Sequence, residues 1–178
     1  MEDTMKQTRW RVITGAPCSG KTTVIRVLAE RGFPTIPETA RAYIDEELGK
    51  GRSLVRIKSD LHAFEREILM RKVRIERDLP ADAVIFLDRG LPDSIAYYRL
   101  DGIDPTEPMR FSRQIRYEAV FHFDRLRFQS DPVRSENDVI ADRLDALIAE
   151  VYAELGYAAV RVAPVDVEQR VKAVLAGV

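Results

Sequence analysis

The chain has 178 residues, 46% hydrophobic and 32% charged, with one cysteine and a net charge of −1. That size and balance predict a single globular domain over residues 1–178, and they argue against a disordered chain or a general nucleic-acid partner. No apolar run is long enough for a membrane helix, the first residues hold no apolar signal core, and the lone Cys18 has no internal disulfide partner, so a reduced, cytoplasmic setting without a membrane partner is expected.

Arg9–Thr14 reads as a strand. Gly15-Ala16-Pro17-Cys18-Ser19-Gly20-Lys21-Thr22 follows, with the spacing G-x-x-x-x-G-K-[ST]. Thr22 to Arg31 reads as a helix with Val24, Ile25 and Leu28 inward, stopped by Gly32. Strand, glycine-rich turn and helix together let main-chain N–H groups curl round a phosphate at a helix N-terminus. Gly15–Thr23 are therefore expected to hold the phosphates of ATP. Lys21 would reach the β- and γ-phosphates and the Thr22 hydroxyl would ligate Mg²⁺. Cys18 reads as a loop residue, not a nucleophile.

Phe33–Pro37 is a short extended piece that its prolines confine to a sheet edge or strand end. Glu38 follows it and is a candidate base or acceptor for an attacking hydroxyl, with a first-turn helix acid as the alternative. Thr39–Gly49 is a helix on which Arg41 points to the same site or pairs with Asp45. Ser53–Leu79 is the longest helical period, with Leu54, Ile57, Leu61, Phe64, Ile68, Ile75 and Leu79 on one face. Its many charges are expected on the solvated face. His62 there, and His122 further on, read as packing residues without a metal-spaced partner.

Ala83–Leu87 is an apolar run with the character of a buried parallel strand, ending at Asp88. A carboxylate there is expected to hold Mg²⁺, directly or through water. Arg89 could clamp a phosphate or substrate. Asp93 fits a helix cap as well as a substrate contact. Leu91–Leu100 is a helix, 101–108 a loop, and Met109–Glu118 a short helix. Ala119–Phe123 is a fourth strand. Residues 124–137 show no period and read as a lid, with Arg125, Arg127 and above all Arg134 as candidates to stabilise transferred charge. A helix from Ile140 to Leu155 stops at Gly156, Ala158–Val162 is a fifth strand, and Asp166 with Gln169 opens the last helix. The alternation predicts a three-layer α/β fold with a central five-stranded parallel sheet flanked by helices.

Three stretches together carry a resemblance: Gly15-x-Pro17-x-Ser19-Gly20-Lys21-Thr22-Thr23, Pro37-Glu38-x-x-Arg41 leading into Ile44-Asp45-Glu46-Glu47-Leu48, and Phe86-Leu87-Asp88-Arg89-Gly90-Leu91-Pro92-Asp93. Asp131-x-x-Arg134-x-Glu136 and Leu155-Gly156-Tyr157 extend it over Arg9 to Leu175. The chain resembles the NadR-type ATPase/kinase-like family, which includes a ribosylnicotinamide kinase module and a protein linked to TRP-channel trafficking. Cys18 departs from the glycine common in such loops. The resemblance implies a nucleotide-kinase-like fold with ATP and Mg²⁺ bound by Gly15–Thr23 and Asp88. It leaves the acceptor open.

The residues point first to a kinase. Lys21, Glu38, Asp88, Arg89 and Arg134 would serve transfer, and Glu38, Arg41, Arg89 and Asp93 a nucleoside-, riboside- or sugar-like acceptor. A nucleotide-dependent switch or hydrolase is the alternative. It would lack an Asn-Lys-x-Asp guanine reader and an Asp-x-x-Gly switch, neither of which the sequence contains.

Overall fold

The structure, a computed structural model, describes residues 5–126 and 136–176. In chain order its elements are β1 (Lys6–Gln7), β2 (Trp10–Thr14), α1 (Lys21–Glu30), β3 (Thr35–Ile36), α2 (Thr39–Gly49), α3 (Leu54–Ile57), α4 (Leu61–Asp78) and β4 (Ile85–Asp88). These are followed by α5 (Leu91–Leu100), α6 (Thr106–Ser112), β5 (Ile115–Arg116), β6 (Ala119–Phe123), α7 (Glu136–Glu154), β7 (Val160–Val162) and α8 (Val167–Leu175). The main sheet is five-stranded and parallel throughout, in the order β3–β4–β2–β6–β7.

Alternation along the central strands makes three layers. Trp10, Val12, Ile85, Leu87 and Val120 pack with Ile95 and Ala96 of α5 and Leu144, Ile148 and Val151 of α7. Ile13, Phe86, Phe121 and Phe123 face the other way, against Val24 and Leu28 of α1 and Val171 and Val174 of α8. Both faces of the sheet are therefore covered, which is why its strands read as continuous apolar runs. After β2 the chain passes to β3 at one edge, and after β6 it passes to β7 at the other. A crevice outside the carboxyl ends of the central strands follows from that reversal.

Four sequence expectations change. Ser53–Leu79 is two helices, because Ser53 caps α3 and the Asp60 side chain accepts from Ala63 N to start α4 afresh. The Met109–Glu118 helix begins at Thr106 and ends at Ser112. Ile115–Arg116 beyond it pairs as β5 with β1 in a separate two-stranded sheet. The charges of α4 are not all solvated: Glu65, Lys72 and Glu76 are buried with Phe64, Ile68 and Leu69. The interval from Glu65 to Lys72 is two helical turns, so both share the inward stripe. Leu54 and Leu61, expected inside, are exposed. Among the described residues no helix is long and apolar enough to cross a membrane.

Candidate functional site

The loop between β2 and α1 begins at a residue that must be glycine. Gly15 has φ +130, and a Cβ there would lie 2.4 Å from the Phe123 carbonyl oxygen on β6. The close approach of loop to strand is thus bought by a missing side chain. Lys21, the first residue of α1, is buried and curls back: Nζ donates to Gly15 O (3.0 Å), Ala16 O (2.8 Å) and Ser19 Oγ (3.0 Å). Burial first, then the nearby Arg89 cation, lowers its pKa to about 8. Cys18 is exposed and takes φ +60, the region a glycine would occupy without strain. The departure from glycine at this position therefore keeps the left-handed conformation, at a cost of about 1–2 kcal/mol.

Thr22 Oγ1 donates to Asp88 Oδ2 at 3.0 Å, joining the first turn of α1 to the end of β4. Asp88 is 1% exposed, and its Oδ1 has no hydrogen-bond partner. Burial raises its pKa, against the pull of Lys21. A carboxylate oxygen left without a donor, beside a threonine hydroxyl, is a hard-oxygen pair suited to Mg²⁺. The start of α5 is closed by Asp93, not by Asp88: Asp93 Oδ2 accepts from Gly90 N (3.0 Å).

Arg89 leaves the strand with φ +71, its main-chain N–H still bonded to Ile13 O. Its guanidinium is buried between two acids: Nε donates to Glu38 Oε1 (3.1 Å) and Nη1 to Asp93 Oδ1 (3.0 Å), and it lies 5.4 Å from the Tyr97 ring centroid. Glu38 sits at the N-cap position of α2 without making a cap bond, so its carboxylate serves Arg89 instead. Asp93 is 0% exposed and also accepts from Thr14 Oγ1 (2.6 Å) and Tyr152 OH (2.7 Å). That places it out of reach of a ligand, so the expected substrate contact is corrected: Asp93 positions Arg89 and caps α5. Burial alone would raise its pKa, but Arg89, Lys72 and these hydrogen bonds lower it. Arg41 is exposed and paired with Asp45 at 3.1 Å, while still lining the site's outer chamber.

Two cavities meet at this cluster. One, of about 240 Å³, is lined by Pro17–Thr23 with Glu38, Arg89 and Tyr97. The other, of about 190 Å³, lies between α2 and α4 and shares Glu38, Arg89 and Tyr97 with the first. A third, of about 650 Å³, is lined by Asp124, Arg125, Leu126, Asp142, Asp145, Arg161 and Pro164. It borders the loop, because Leu126 N donates to Cys18 O (3.1 Å) and Asp145 Oδ1 accepts from Ala16 N (3.1 Å).

Several of these residues carried no sequence signal. Asp145 Oδ1 also lies 2.8 Å from His122 Nε2, so buried His122 is a tether as well as a packing residue. His62 is exposed, not packed. Arg170 of α8 is buried and bonds the Ser19 carbonyl. Arg125 is held by Asp138 (2.7 Å) and Asp142 (2.9 Å). Arg127 and Arg134 lie outside the described residues, as does most of the expected lid. Among the described residues, no group of three or more His, Cys, Asp or Glu could hold a metal.

The sequence profile of a family described as an AAA domain matches residues 10–170. No curated protein matches the sequence. Among solved structures, the NadR protein in complex with NR superposes with a TM-score of 0.64 at 20% identity, over 86% of this chain and 45% of that one. NadR in complex with NAD and AMP-PNP gives 0.63 at 18% identity, over 94% and 48%. The chain thus spans about half the length of the NadR chains it matches. Thymidylate kinase from Ehrlichia chaffeensis gives 0.62 at 17% identity over 96% of this chain and 99% of that one. Deoxyadenosine kinase from M. mycoides, with products dCMP and dCDP bound, gives 0.59 at 13% identity over 94% and 97%. The fold is that of P-loop nucleotide kinases, as the resemblance implied, and its parallel α/β layering is what the strand–helix alternation predicted.

Proposed function

The chain belongs to the AAA domain family, and from that premise we propose that it is an ATP- and Mg²⁺-dependent kinase of a small hydroxyl-bearing acceptor. The observation that supports this reading over a nucleotide switch is the pair of cavities meeting at Glu38, Arg89 and Tyr97. One is walled by the loop and the other by α2 and α4. A switch needs the first chamber alone, whereas a kinase needs a second, adjoining one for the acceptor.

In this reading the main-chain N–H groups of Gly15–Thr23 and the Lys21 ammonium hold the phosphates. Lys21 exchanges its bonds to Gly15 O, Ala16 O and Ser19 Oγ for phosphate oxygens. Thr22 and Asp88 would hold Mg²⁺, which neutralises phosphate charge when bound. The nucleoside half of ATP would lie in the cavity beside Leu126 and Pro164. Arg89 holds Glu38 by Oε1, leaving Oε2 to accept the acceptor's hydroxyl proton. The acceptor's hydroxyl oxygen, having given its proton to Glu38, forms the new bond to the γ-phosphorus as the bond to the bridging β–γ oxygen breaks and ADP leaves. Arg41 would guard the acceptor mouth, and Arg134, assigned on sequence alone, would bring the lid's charge to the transferred group. The NadR structure with NR and the nucleoside and nucleotide kinase neighbours support a nucleoside-like acceptor as the first class to test.

The test is a transfer screen with γ-labelled ATP over nucleosides, ribosides and sugars. Labelled product from one of these, lost in Lys21→Ala, is expected. Rapid hydrolysis with no labelled product across the panel would favour the switch or hydrolase.

A further inference from the structure

We propose that Glu65 is the residue by which this protein selects its acceptor, and that it selects a ring whose edge carries an N–H donor, such as an exocyclic amino or carboxamide group. The inference deepens the kinase reading and rests on it for the location of the acceptor chamber.

Glu65 is 6% exposed on α4 and lines the 190 Å³ cavity. Among the described residues it is the one buried carboxylate without a hydrogen-bond partner. Glu47 is paired with Lys50 and Arg52, Glu76 accepts from Tyr117 OH, Asp88 from Thr22, and Asp93 from four donors. The nearby cations are committed elsewhere. Lys72 donates to Gly90 O (3.0 Å) and Ser94 Oγ (3.2 Å), Arg89 serves Glu38 and Asp93, and Arg41 pairs with Asp45. Lys58 lies over the Phe64 ring at 5.3 Å. The Glu65 carboxylate opens into the cavity, so a ligand that expels the water there must itself bring a donor to it or leave the charge unpaired.

The other walls say what that ligand is. Ala40, Ile44, Phe64 and Ile68 are apolar. A sugar, polar all round, would leave hydroxyls unpaired against them. A flat ring, polar at its edge alone, would cover them with its faces and give its edge to Glu65. Its sugar hydroxyls would then lie toward Glu38 and Arg89, where the two cavities join. The raised pKa of Glu65, about 7, arises from burial against the pull of Lys72, and it gives the recognition a pH signature. Around Glu65 stand Glu38, Arg41, Lys58, Lys72, Arg89 and Tyr97, with Asp101 at the end of α5.

Calorimetry tests this on the whole chain with AMP-PNP and Mg²⁺. The probes are cytidine, adenosine, the matched pyrimidin-2-one and purine ribosides that lack the amino group, and ribose. At least one amino-bearing riboside is expected to bind ten-fold or more tighter than its counterpart. Glu65→Gln should shrink that preference to within three-fold while leaving AMP-PNP affinity unchanged. In the unsubstituted protein the preference should also grow as pH rises from 6 to 8, a readout that stands even if the variant does not fold. Absence of riboside binding, a preference retained in Glu65→Gln, or a preference flat with pH overturns the inference. Transfer is scored separately. Glu65-dependent binding without product would fell the kinase reading and keep this one; product without base preference would do the reverse.

Discussion

Replacing Arg170 with methionine should loosen the phosphate-binding loop from outside it. Arg170 of α8 is 2% exposed and ties three backbone carbonyls together: Nη1 bonds Ser19 O, Nε bonds Ala163 O at 3.1 Å, and Nη2 reaches Asp124 O at 3.4 Å. Its guanidinium also lies over the Phe123 ring at 5.0 Å. The longest contact is weak, which leaves two charge-assisted bonds of about 1.5–3 kcal/mol each. Part of that loss is returned because a buried cation is no longer desolvated. The net expectation for Arg170→Met is a loss of about 3 kcal/mol. For a chain of this length that is a fall in Tm of roughly 6–12 °C. Urea unfolding with an unchanged m-value measures the stability term. Titration with ATP and Mg²⁺ measures the loop. With Ser19 O released, Kd should rise about ten-fold, equivalent to about 1.4 kcal/mol. Arg170→Lys should fall between, since an ammonium cannot span the same fork of carbonyls. A loss under about 1 kcal/mol together with unchanged nucleotide affinity would refute the view that α8 holds the loop in shape.

Three further outcomes follow from the same geometry. Gly15→Ala puts a methyl 2.4 Å from Phe123 O at a φ of +130, so nucleotide binding should be lost, with a fall of several °C in Tm by calorimetry; a normal Kd would mean the loop can shift off β6. Asp88→Asn should weaken nucleotide binding in the presence of Mg²⁺ about ten-fold or more and leave Mg²⁺-free binding nearly unchanged; equal effects by calorimetry would make Asp88 a structural acid. Asp93, whose pKa is lowered in the fold, contributes stability that is fully present above its unfolded value near 3.9 and is lost as pH falls through the folded value. Urea midpoints should therefore drop below about pH 4, and Asp93→Asn, costing about 3–5 kcal/mol at neutral pH, should flatten that acid limb. An unchanged acid limb in the variant would assign it to other carboxylates.

The sheet was legible because each long strand is buried on both faces and bounded by glycine, proline or a terminal acid. Val12 with Ile13, and Phe86 with Leu87, show this in runs of a few residues. The loop was legible because its glycines and Lys21 are demanded by main-chain geometry, which leaves a fixed spacing. The two-residue β1 and β5 had no run to read, and the break at Lys58–Asp60 was hidden by apolar spacing that continues across it. Site residues that act through tertiary contact were the least visible. Glu65, Lys72, Asp145 and Arg170 look like surface charges until the fold turns them inward. For Glu65 and Lys72 a usable signal existed: both fall on the stripe of Phe64 and Ile68, where a charge must be paired or must face a cavity.

Among the described residues, backbone strain falls on the wall of the chamber beside the phosphate-binding loop. Among the described non-glycine residues, Cys18 and Arg89 have positive φ, and both line the 240 Å³ chamber. Such a conformation costs on the order of 1–3 kcal/mol and persists where surroundings over-determine it. Around Arg89 they do: Ile13 O fixes its N–H, Glu38 and Asp93 fix its guanidinium, and Thr14, Tyr152 and Gly90 in turn fix Asp93. The chain of contacts runs from β2 through α5 and α7 to the first residue before α2. Glu38 is its one member that is not buried. The buried part of the network is therefore spent on aiming a single carboxylate at the junction of the two chambers, which is where a proton has to be taken if transfer occurs there.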